Sequence, residues 1–431
     1  MVTLILISTF IVCMFMGIPI AFSMGLAALV GVIAMGDITI VLIPIRTAMA
    51  ADSFVLLAIP LFMLAGSLME TGGVSVRLVR LSKSIIGHVK GALGMVVVVA
   101  EMIFSGISGS TVADVSAMAS MLVPAMKRSH YKPEYAVSIV SAASAMGILI
   151  PPCIIMVVLG AVMNVSVGAL FAAGFIPAFV LAGILFIVLF FEAKKYKLPA
   201  EERASFRQFI SALIASLPAL GMPIIIFGGI LSGATTATES AALAVVYGLI
   251  VGMLVYREIE WRSLWDQLIQ AAVNTGLVMF ILAVSNIFSY ILAVEHVPEL
   301  ITSTILSISE SPFFFFMVSS LIFIILGSIM EPLPVILIFV PIFMPIIHKL
   351  DIDLLHYGIT VVTASGIGLF LPPVGVGLII GATIGKTPIE KTFKHMFFYL
   401  GMLFIGLIIL ILIPWFTTVI PEMFGLWQTK P

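Results

Sequence analysis

The sequence predicts an all-α polytopic membrane protein, on three observations. Hydrophobic residues make up 62% of the 431 residues, charged residues only 10%, and the mean hydropathy is +1.29. Soluble domains have about 25% charged residues, and apolar stretches of about 20 or more residues indicate membrane-spanning helices. A net charge of −1 without a basic tail argues against nucleic acid as a partner.

Apolar runs give the predicted elements. Residues 1–35 are apolar with a break at Gly17–Pro19, which leaves one kinked helix or two short helices open. Residues 36–53 predict an interfacial connection. The segments around Arg77–Lys83 and Arg257–Trp265 predict amphipathic interfacial helices. Further apolar runs cover about 54–69, 91–126, 135–163, 165–192, 208–231, 233–256, 269–293, 312–348, 359–385 and 396–420.

Two of these runs are too long for one crossing. As a single helix, 91–126 would measure about 54 Å, whereas the hydrocarbon core is about 30 Å thick. A turn at Ser105–Ser110 makes this run a re-entrant hairpin, and 312–348 is treated in the same way. This topology puts 17 of the 20 Lys and Arg residues on one side. The excess of basic residues marks that side as cytoplasmic.

The chain also contains an internal repeat. A shift of 221 residues aligns Gly106 with Gly327, Pro124 with Pro345, Ser144 with Ser365, Gly147 with Gly368, Pro151-Pro152 with Pro372-Pro373, and Gly160 with Gly381. The two hairpins open to opposite sides, which is typical of inverted-topology repeats in secondary transporters.

The repeat defines the predicted domains. They are N-terminal scaffold helices and an interfacial arm (1–90), a first transport repeat (91–192) with hairpin 91–126 and broken helix 135–163, further scaffold helices (193–311), a second transport repeat (312–395) with hairpin 312–348 and broken helix 359–385, and a C-terminal helix (396–431).

The helix breaks predict binding sites at membrane depth. A helix interrupted at Gly147–Pro152 exposes carbonyls, and these suit a small hard cation such as Na⁺, together with oxygens at a hairpin tip. Gly327–Glu331 and Gly366–Pro373 form the equivalent region in the second repeat. Plain helix packing by small residues is the alternative interpretation.

An anionic substrate would be held by helix N-termini, because no Lys or Arg lies well inside the apolar runs. The residues predicted to contact substrate are Ser108, Gly109, Ser110, Thr111, Ser144, Ser328 and Ser365.

Four acids lie at predicted membrane depth: Glu101, Asp114, Glu239 and Glu331. Intramembrane acids are functional-site candidates. Asp114 and Glu331 adjoin the breaks and are favoured for that reason. For Glu101 and Glu239, hydrogen bonding to a helix end explains the residue equally well.

Several motifs together resemble the large membrane subunit of tripartite ATP-independent periplasmic (TRAP) transporters, the DctM type. The resemblance covers nearly the whole chain. Its motifs are Ser108–Asp114, His130-Tyr131, Gly147–Pro152, Ser166–Pro177, Thr236–Glu239 and Gly366–Gly375. The chain departs from the usual pattern at Cys153, where Ser is common, and at Ala237, where Pro is frequent.

The resemblance implies an elevator-type secondary transporter of a bacterial inner membrane, driven by a Na⁺ gradient. It implies two partners: a small four-helix membrane subunit (DctQ type) and a periplasmic substrate-binding protein (DctP type). The expected substrate is a small organic acid, a C4-dicarboxylate or a related carboxylate. Na⁺ is the coupling ion, and no other cofactor is expected.

The resemblance also implies two Na⁺ sites. The first uses Ser105, Ser108, Gly147, Ile150 and Pro152, and the second uses Gly327, Glu331, Gly368, Leu371 and Pro373. Leu326 and Ile329 replace the two serines in the second repeat, so only carbonyls are available at those positions.

Two other functions stay open on the sequence. One is a stand-alone carboxylate carrier of the divalent-anion/Na⁺ symporter type, which shares inverted hairpins. The other is an intramembrane enzyme or a structural scaffold. An enzyme would need a catalytic dyad at membrane depth. No His falls inside the predicted transport core, because His348 and His356 lie at a predicted loop, so a non-enzymatic protein is predicted.

Overall fold

The computed structural model describes residues 1–36, 40–89, 91–196, 198 and 203–428. Within these ranges every regular element is helical, and there are twenty α-helices, which confirms the all-α prediction. Three basic residues counted in the topology argument, namely Lys90, Lys197 and Lys430, lie outside the described residues.

Residues 1–35, for which the sequence allowed one kinked helix or two short ones, form two short helices. The chain breaks between them because Gly17 has a φ of +80° and Pro19 precedes the second helix as its N-cap. The helices fold back on each other: a Cβ on Gly31 would lie 3.0 Å from Leu6 Cδ1. The elements of this region are α1 (Val2–Phe15), α2 (Ile20–Met35), α3 (Leu42–Ala51), a 3₁₀ turn (Phe54–Leu57), α4 (Ala58–Thr71) and α5 (Val74–Ile86).

The first repeat consists of a hairpin and a broken helix, followed by one long helix. Two residues connect the hairpin helices, and six separate the two halves of the broken helix. The hairpin helices measure about 26 Å each, shorter than the hydrocarbon core. The elements are α6 (Ala92–Ser108), α7 (Thr111–Arg128), α8 (Pro133–Gly147), α9 (Ile154–Met163) and α10 (Val167–Lys195).

The next region differs from the sequence prediction in two places. The interfacial helix expected at Arg257–Trp265 is not a separate element, because one helix of 34 residues, about 51 Å long, begins at Trp261. A further helix starts at Val297, between the predicted apolar runs 269–293 and 312–348. Pro298 in its first turn is a usual helix-start signal. The elements are α11 (Phe206–Leu231), α12 (Ala237–Leu249) with a π-helical turn (Ile250–Val255), α13 (Trp261–Val294) and α14 (Val297–Ile308).

The second repeat has the same order of elements as the first. They are α15 (Pro312–Ile329), α16 (Pro332–Lys349), α17 (Leu354–Leu369) and α18 (Val376–Ile384). The C-terminal region, expected as one helix, is divided at Ile413-Pro414 into α19 (Ile389–Leu412) and α20 (Trp415–Met423). Proline cannot continue a helix because its ring removes the donor and clashes with the preceding turn.

Eight helices in the described part of the chain are long and apolar enough to cross a membrane. They include both helices of the second hairpin, whereas α6 of the first hairpin belongs to the shorter apolar helices. This number of spans agrees with a multi-pass membrane protein.

The two repeats meet at their broken helices. A Cβ on Gly366 of α17 would collide with the carbonyl oxygen of Ala145 on α8. These two positions are equivalent under the 221-residue shift, so the repeats contact each other through matching positions. Hydrogen bonds also join the repeats, since Lys127 Nζ donates to the Gly385 carbonyl at 2.6 Å. The breaks of both helices therefore lie close to one centre.

The crossing of α8 and α17 yields a stability prediction. Gly366→Ala should destabilise the protein, although Ala favours a helix by about 1 kcal/mol over Gly. Its Cβ has no room against the Ala145 backbone and Ile148, and such overpacking costs about 1–3 kcal/mol. Thermal unfolding of the purified protein in detergent should show a lower midpoint than wild type.

Gly401→Ala is the matched control, because a Cβ at Gly401 meets nothing within 4 Å. It should unfold at the wild-type temperature or slightly above. Equal midpoints for the Gly366 and Gly401 variants would contradict the close crossing.

Candidate functional site

The tip of the first hairpin is a tight two-residue turn. Helix α6 ends at Ser108, and Gly109 takes the left-handed conformation with a φ of +68°. Ser110 caps α7, because its hydroxyl accepts a hydrogen bond from the Ala113 amide at 3.5 Å. The chain therefore leaves the helix at the predicted position and turns back at once.

A buried carboxylate organises this turn. Asp114, in the first turn of α7, is 2% exposed and accepts hydrogen bonds from the hydroxyls of Ser105 and Ser108. Both serines are buried as well. A hydroxyl that donates its proton keeps its oxygen lone pairs, so both serine oxygens can also face a cation. Asp114 thus orients two of the predicted Na⁺ ligands.

The break in α8 lies directly against this hairpin. A Cβ on Gly147 would collide with Ser105 Oγ, and one on Gly109 would lie 3.1 Å from the carbonyl oxygen of Pro152. Between these contacts, a Cβ on Gly106 would lie 3.3 Å from Ile150 Cγ2. The structure therefore brings together all five residues of the first predicted Na⁺ site: Ser105, Ser108, Gly147, Ile150 and Pro152.

The Gly147 carbonyl, which the helix break was expected to leave without a hydrogen bond, does accept one. The Gly147 carbonyl accepts a hydrogen bond from the Ile150 amide at 2.8 Å. In the second repeat, the Gly368 carbonyl accepts one from the Leu371 amide at 2.9 Å. A carbonyl oxygen has two lone pairs, so each of these groups can still contact an ion.

The second repeat places its predicted ligands in two groups. Gly327 faces the break of α17, since its Cβ would lie 3.5 Å from both Gly368 Cα and the Ser365 carbonyl oxygen. Leu371 and Pro373 belong to the loop that follows this break. Glu331, by contrast, is the N-cap of α16 and lines a central cavity.

That cavity has a volume of about 240 Å³ and lies between the two hairpin tips. Three helix N-termini contribute to its wall, those of α7, α9 and α16. In the described part of the chain, its lining contains no Lys or Arg. The lining residues are Met63, Gly109, Ser110, Thr111, Val112, Cys153, Ile154, Ile155, Asn274, Leu277, Val278, Glu331, Pro332, Leu333 and Leu369.

The predicted substrate residues divide between cavity and interior. Gly109, Ser110 and Thr111 line the cavity. The other four are buried and absent from this lining: Ser108, Ser144, Ser328 and Ser365. Ser108 points to Asp114, and Ser328 donates to the Ile325 carbonyl at 2.7 Å.

Sequence reasoning missed the opposite wall of the cavity. Met63 of α4 and Asn274, Leu277 and Val278 of α13 form part of it. Asn274 was detectable as a polar residue within the apolar run 269–293. Its Oδ1 accepts a hydrogen bond from Gln270 Nε2, one turn earlier, at 3.1 Å.

The remaining acids have different surroundings. Glu239 accepts hydrogen bonds from the amide and hydroxyl of Thr236 at 2.8 and 2.9 Å, which favours the helix-end interpretation for this residue. Glu101 is fully buried, and neither of its carboxylate oxygens has a hydrogen-bond partner among the described residues.

The chain is similar to proteins of one family along nearly its entire length. The family model described as "Tripartite ATP-independent periplasmic transporter, DctM component" matches residues 7–416. The C4-dicarboxylate TRAP transporter large permease protein DctM of Pseudomonas aeruginosa is 37% identical over 94% of this chain and 95% of that protein.

Two further relatives are named for other substrates. The 2,3-diketo-L-gulonate TRAP transporter large permease protein YiaN of Escherichia coli is 33% identical over 92% of this chain and 94% of that protein. The isethionate TRAP transporter permease protein DctMQ of Oleidesulfovibrio alaskensis is 34% identical over 95% of this chain and 65% of that protein.

Among solved structures, the YdaH transporter of Alcanivorax borkumensis has a similar fold. The TM-score is 0.64 at 14% identity, over 90% of this chain and 88% of that one. The relatives are transporter subunits, so the chain is a non-enzymatic, multi-pass protein of the inner membrane, as predicted. The chain belongs to the DctM family, the large permease subunits of tripartite ATP-independent periplasmic transporters.

Proposed function

We propose that this large permease imports a small organic acid, a C4-dicarboxylate or a related carboxylate, in symport with Na⁺. The observation that supports this most directly is the oxygen cluster of Ser105, Ser108 and Asp114 against Gly147, beside a cavity walled by three helix N-termini. The first feature suits a hard cation and the second suits an anion.

In the proposed first Na⁺ site, two serine hydroxyls and the carbonyls of Gly147, Ile150 and Pro152 surround the ion. Oxygen ligands of this kind suit a hard monovalent cation. Asp114 is buried and acts through the serines, whose orientation it fixes. A cation here would also compensate its charge, which is costly to bury alone.

The proposed second site uses Gly327, Glu331, Gly368, Leu371 and Pro373. Its break repeats the turn hydrogen bond of the first, from the Leu371 amide to the Gly368 carbonyl. Since Leu326 and Ile329 have no side-chain oxygen, backbone carbonyls would do most of the coordination.

The proposed substrate site is the central cavity. The first residues of α7, α9 and α16 line it, and helix N-termini favour anions through their dipole and free amides. Pro332 and Pro334 have no amide hydrogen, so α7 and α9 offer more donors than α16. A volume of about 240 Å³ lies below the range of about 300–1,000 Å³ typical of drug-sized ligands. This size favours a compact acid with few heavy atoms.

For the transport step, we propose that the two hairpins are re-entrant and move with the two broken helices as one unit. The contact between Ala145 and Gly366 and the bond from Lys127 to Gly385 support a single unit. The opposite wall of the cavity comes from α4 and α13 of the proposed scaffold. Movement of the unit past this wall would expose the cavity to each side in turn.

The family is tripartite, so the chain functions with two further components. We propose that these are a separate four-helix membrane subunit of the DctQ type and a periplasmic binding protein of the DctP type. The DctMQ relative extends beyond the region that this chain matches, as expected if its name joins two components. Family membership disfavours a stand-alone carrier.

Proteoliposomes containing this chain and its two partners should take up organic acid only with an inward Na⁺ gradient. Ser108→Leu should reduce this uptake at least about 100-fold, because it removes a ligand and fills the space beside Asp114. Uptake of radiolabelled acid, compared in Na⁺ and choline buffers, measures both effects.

Ser120→Leu is the control, since Ser120 is exposed and bonds only locally to the Ala117 carbonyl. It should transport at the wild-type rate. Wild-type uptake that continues unchanged in choline would refute Na⁺ coupling, and normal uptake by the Ser108 variant would exclude that hairpin from the ion site.

The cavity assignment makes a separate prediction. Leu277→Trp should block substrate uptake, because Leu277 lines the cavity and the indole would occupy it. The stabilisation of the purified protein by Na⁺ should stay within about twofold of wild type, since Leu277 lies on α13 and is a ligand of neither proposed ion site.

The control is Val273→Trp, one turn earlier on α13, at an exposed position outside the cavity lining. It should transport normally. A Leu277 variant that transports as well as the Val273 variant would show that substrate binds elsewhere.

A further inference from the structure

The side chain of Glu101 has a position that the proposed function does not use. It lies on α6, one turn before Ser105, with 0% exposure. Its Cγ would lie 3.3 Å from a Cβ built on Gly147, so the carboxylate faces the break in α8. Both of its oxygens lack a hydrogen-bond partner among the described residues. A buried polar group without a partner is rare and calls for an explanation.

Two other helices bring polar groups close to Glu101. The hydroxyl of Ser144, on α8, is fully buried and also without a hydrogen-bond partner in the described part of the chain. It lies beside the Glu101 carboxylate without the geometry of a hydrogen bond. Asp114, on α7, lies close enough to interact electrostatically with Glu101. Three helices therefore direct oxygen atoms to one buried region.

The ionisable groups that interact in this region are all carboxyl groups. Glu101 faces Asp114, and Asp114 in turn interacts with Glu70 of α4. Among the described residues, neither carboxyl group forms an ion pair with a Lys or Arg. One Na⁺ beside Ser105 and Ser108 would balance one carboxylate and leave the other uncompensated. Buried charges in proteins are paired or coordinate metal ions.

The two repeats are unequal in this respect. The 221-residue shift places Ile322 on Glu101 and Val335 on Asp114, whereas Ser365 matches Ser144. The second repeat thus has the same backbone without either carboxylate. The first repeat needs more positive charge than the second, although both have the same helix break.

We propose that Glu101, Ser144 and Asp114 form an additional cation position in the first repeat, which binds Na⁺ one helical turn before Ser105. This proposal rests on the proposed Na⁺ coupling. The ligand oxygens would be the free carboxylate of Glu101, the free hydroxyl of Ser144 and the carboxylate of Asp114. Carboxylate and hydroxyl oxygens are suitable ligands for a hard cation. With one proposed Na⁺ site in each repeat, this position would bring the number of bound Na⁺ ions to three per chain, two of them in the first repeat.

The test is Na⁺ binding to the purified chain in detergent, without substrate and at fixed pH. Equilibrium binding of ²²Na⁺ gives the number of ions, and thermal unfolding against Na⁺ concentration gives the midpoint. Glu101→Gln should bind about one Na⁺ fewer than wild type, because it keeps the shape and removes the charge. It should also lose part of the Na⁺-dependent rise in unfolding temperature.

Glu239→Gln is the matched control, the same chemical change at an exposed acid of α12. It should bind as many ions as wild type. If Glu101→Gln does not yield folded protein, Ser144→Ala should shift the Na⁺ midpoint upward by about tenfold, as expected for loss of one neutral contact at a metal site.

The outcomes separate this proposal from the function on which it rests. A wild-type chain that neither binds nor responds to Na⁺ would refute both. A wild-type chain that binds Na⁺, with Glu101→Gln or Ser144→Ala identical to it in number and midpoint, would refute the additional position alone. Glu101 would then be buried as the protonated acid.

Discussion

The structure depends on the contact between the two broken helices. Backbone groups released by a helix break cannot be satisfied by lipid, so a break at membrane depth persists only where protein surrounds it. Here each break is surrounded by the other repeat and by its own hairpin. The close approach of Ala145 and Gly366 makes this arrangement possible, because a side chain at position 366 would separate the two helices. The cavity and the proposed ion sites are consequences of this crossing.

The symmetry concerns the backbone and not the side chains. Both repeats have a two-residue hairpin tip and the same turn hydrogen bond after the break, at Gly147 and at Gly368. The hydroxyls and carboxylates of Ser105, Ser108 and Asp114 have no equivalent in the second repeat. One backbone plan therefore supports two sites of different charge, and we infer that the two repeats contribute unequally to ion binding.

Local chain breaks were predictable from the sequence, and the partners of individual polar residues were not. Gly147 and Pro151-Pro152 interrupt an apolar run by their own conformational limits, so the position of the break follows from residue type. The 221-residue repeat predicted the position of the second break, at Gly368 and Pro372-Pro373, from the same residue types. Asn274 appeared only as one polar residue in an apolar run, because hydropathy does not reveal which helix faces a cavity. The start of α13 at Trp261 was missed for a related reason: polar residues of its first turns resemble an interfacial segment.

Coupling between ion and substrate follows from electrostatics at the cavity. Its wall contains Glu331 and no described basic residue, and Asp114 lies one turn behind the first tip. An anion entering this cavity without bound cations would meet like charge in a medium of low dielectric, where such repulsion is strong. Helix N-termini offer partial positive charge, about half an elementary charge each at most. In the proposed mechanism, Na⁺ must therefore bind before the acid, and the acid must leave before or with the ions. Cation binding at the two breaks would thus decide when the cavity accepts substrate, and Glu331 belongs both to the cavity wall and to the proposed second ion site.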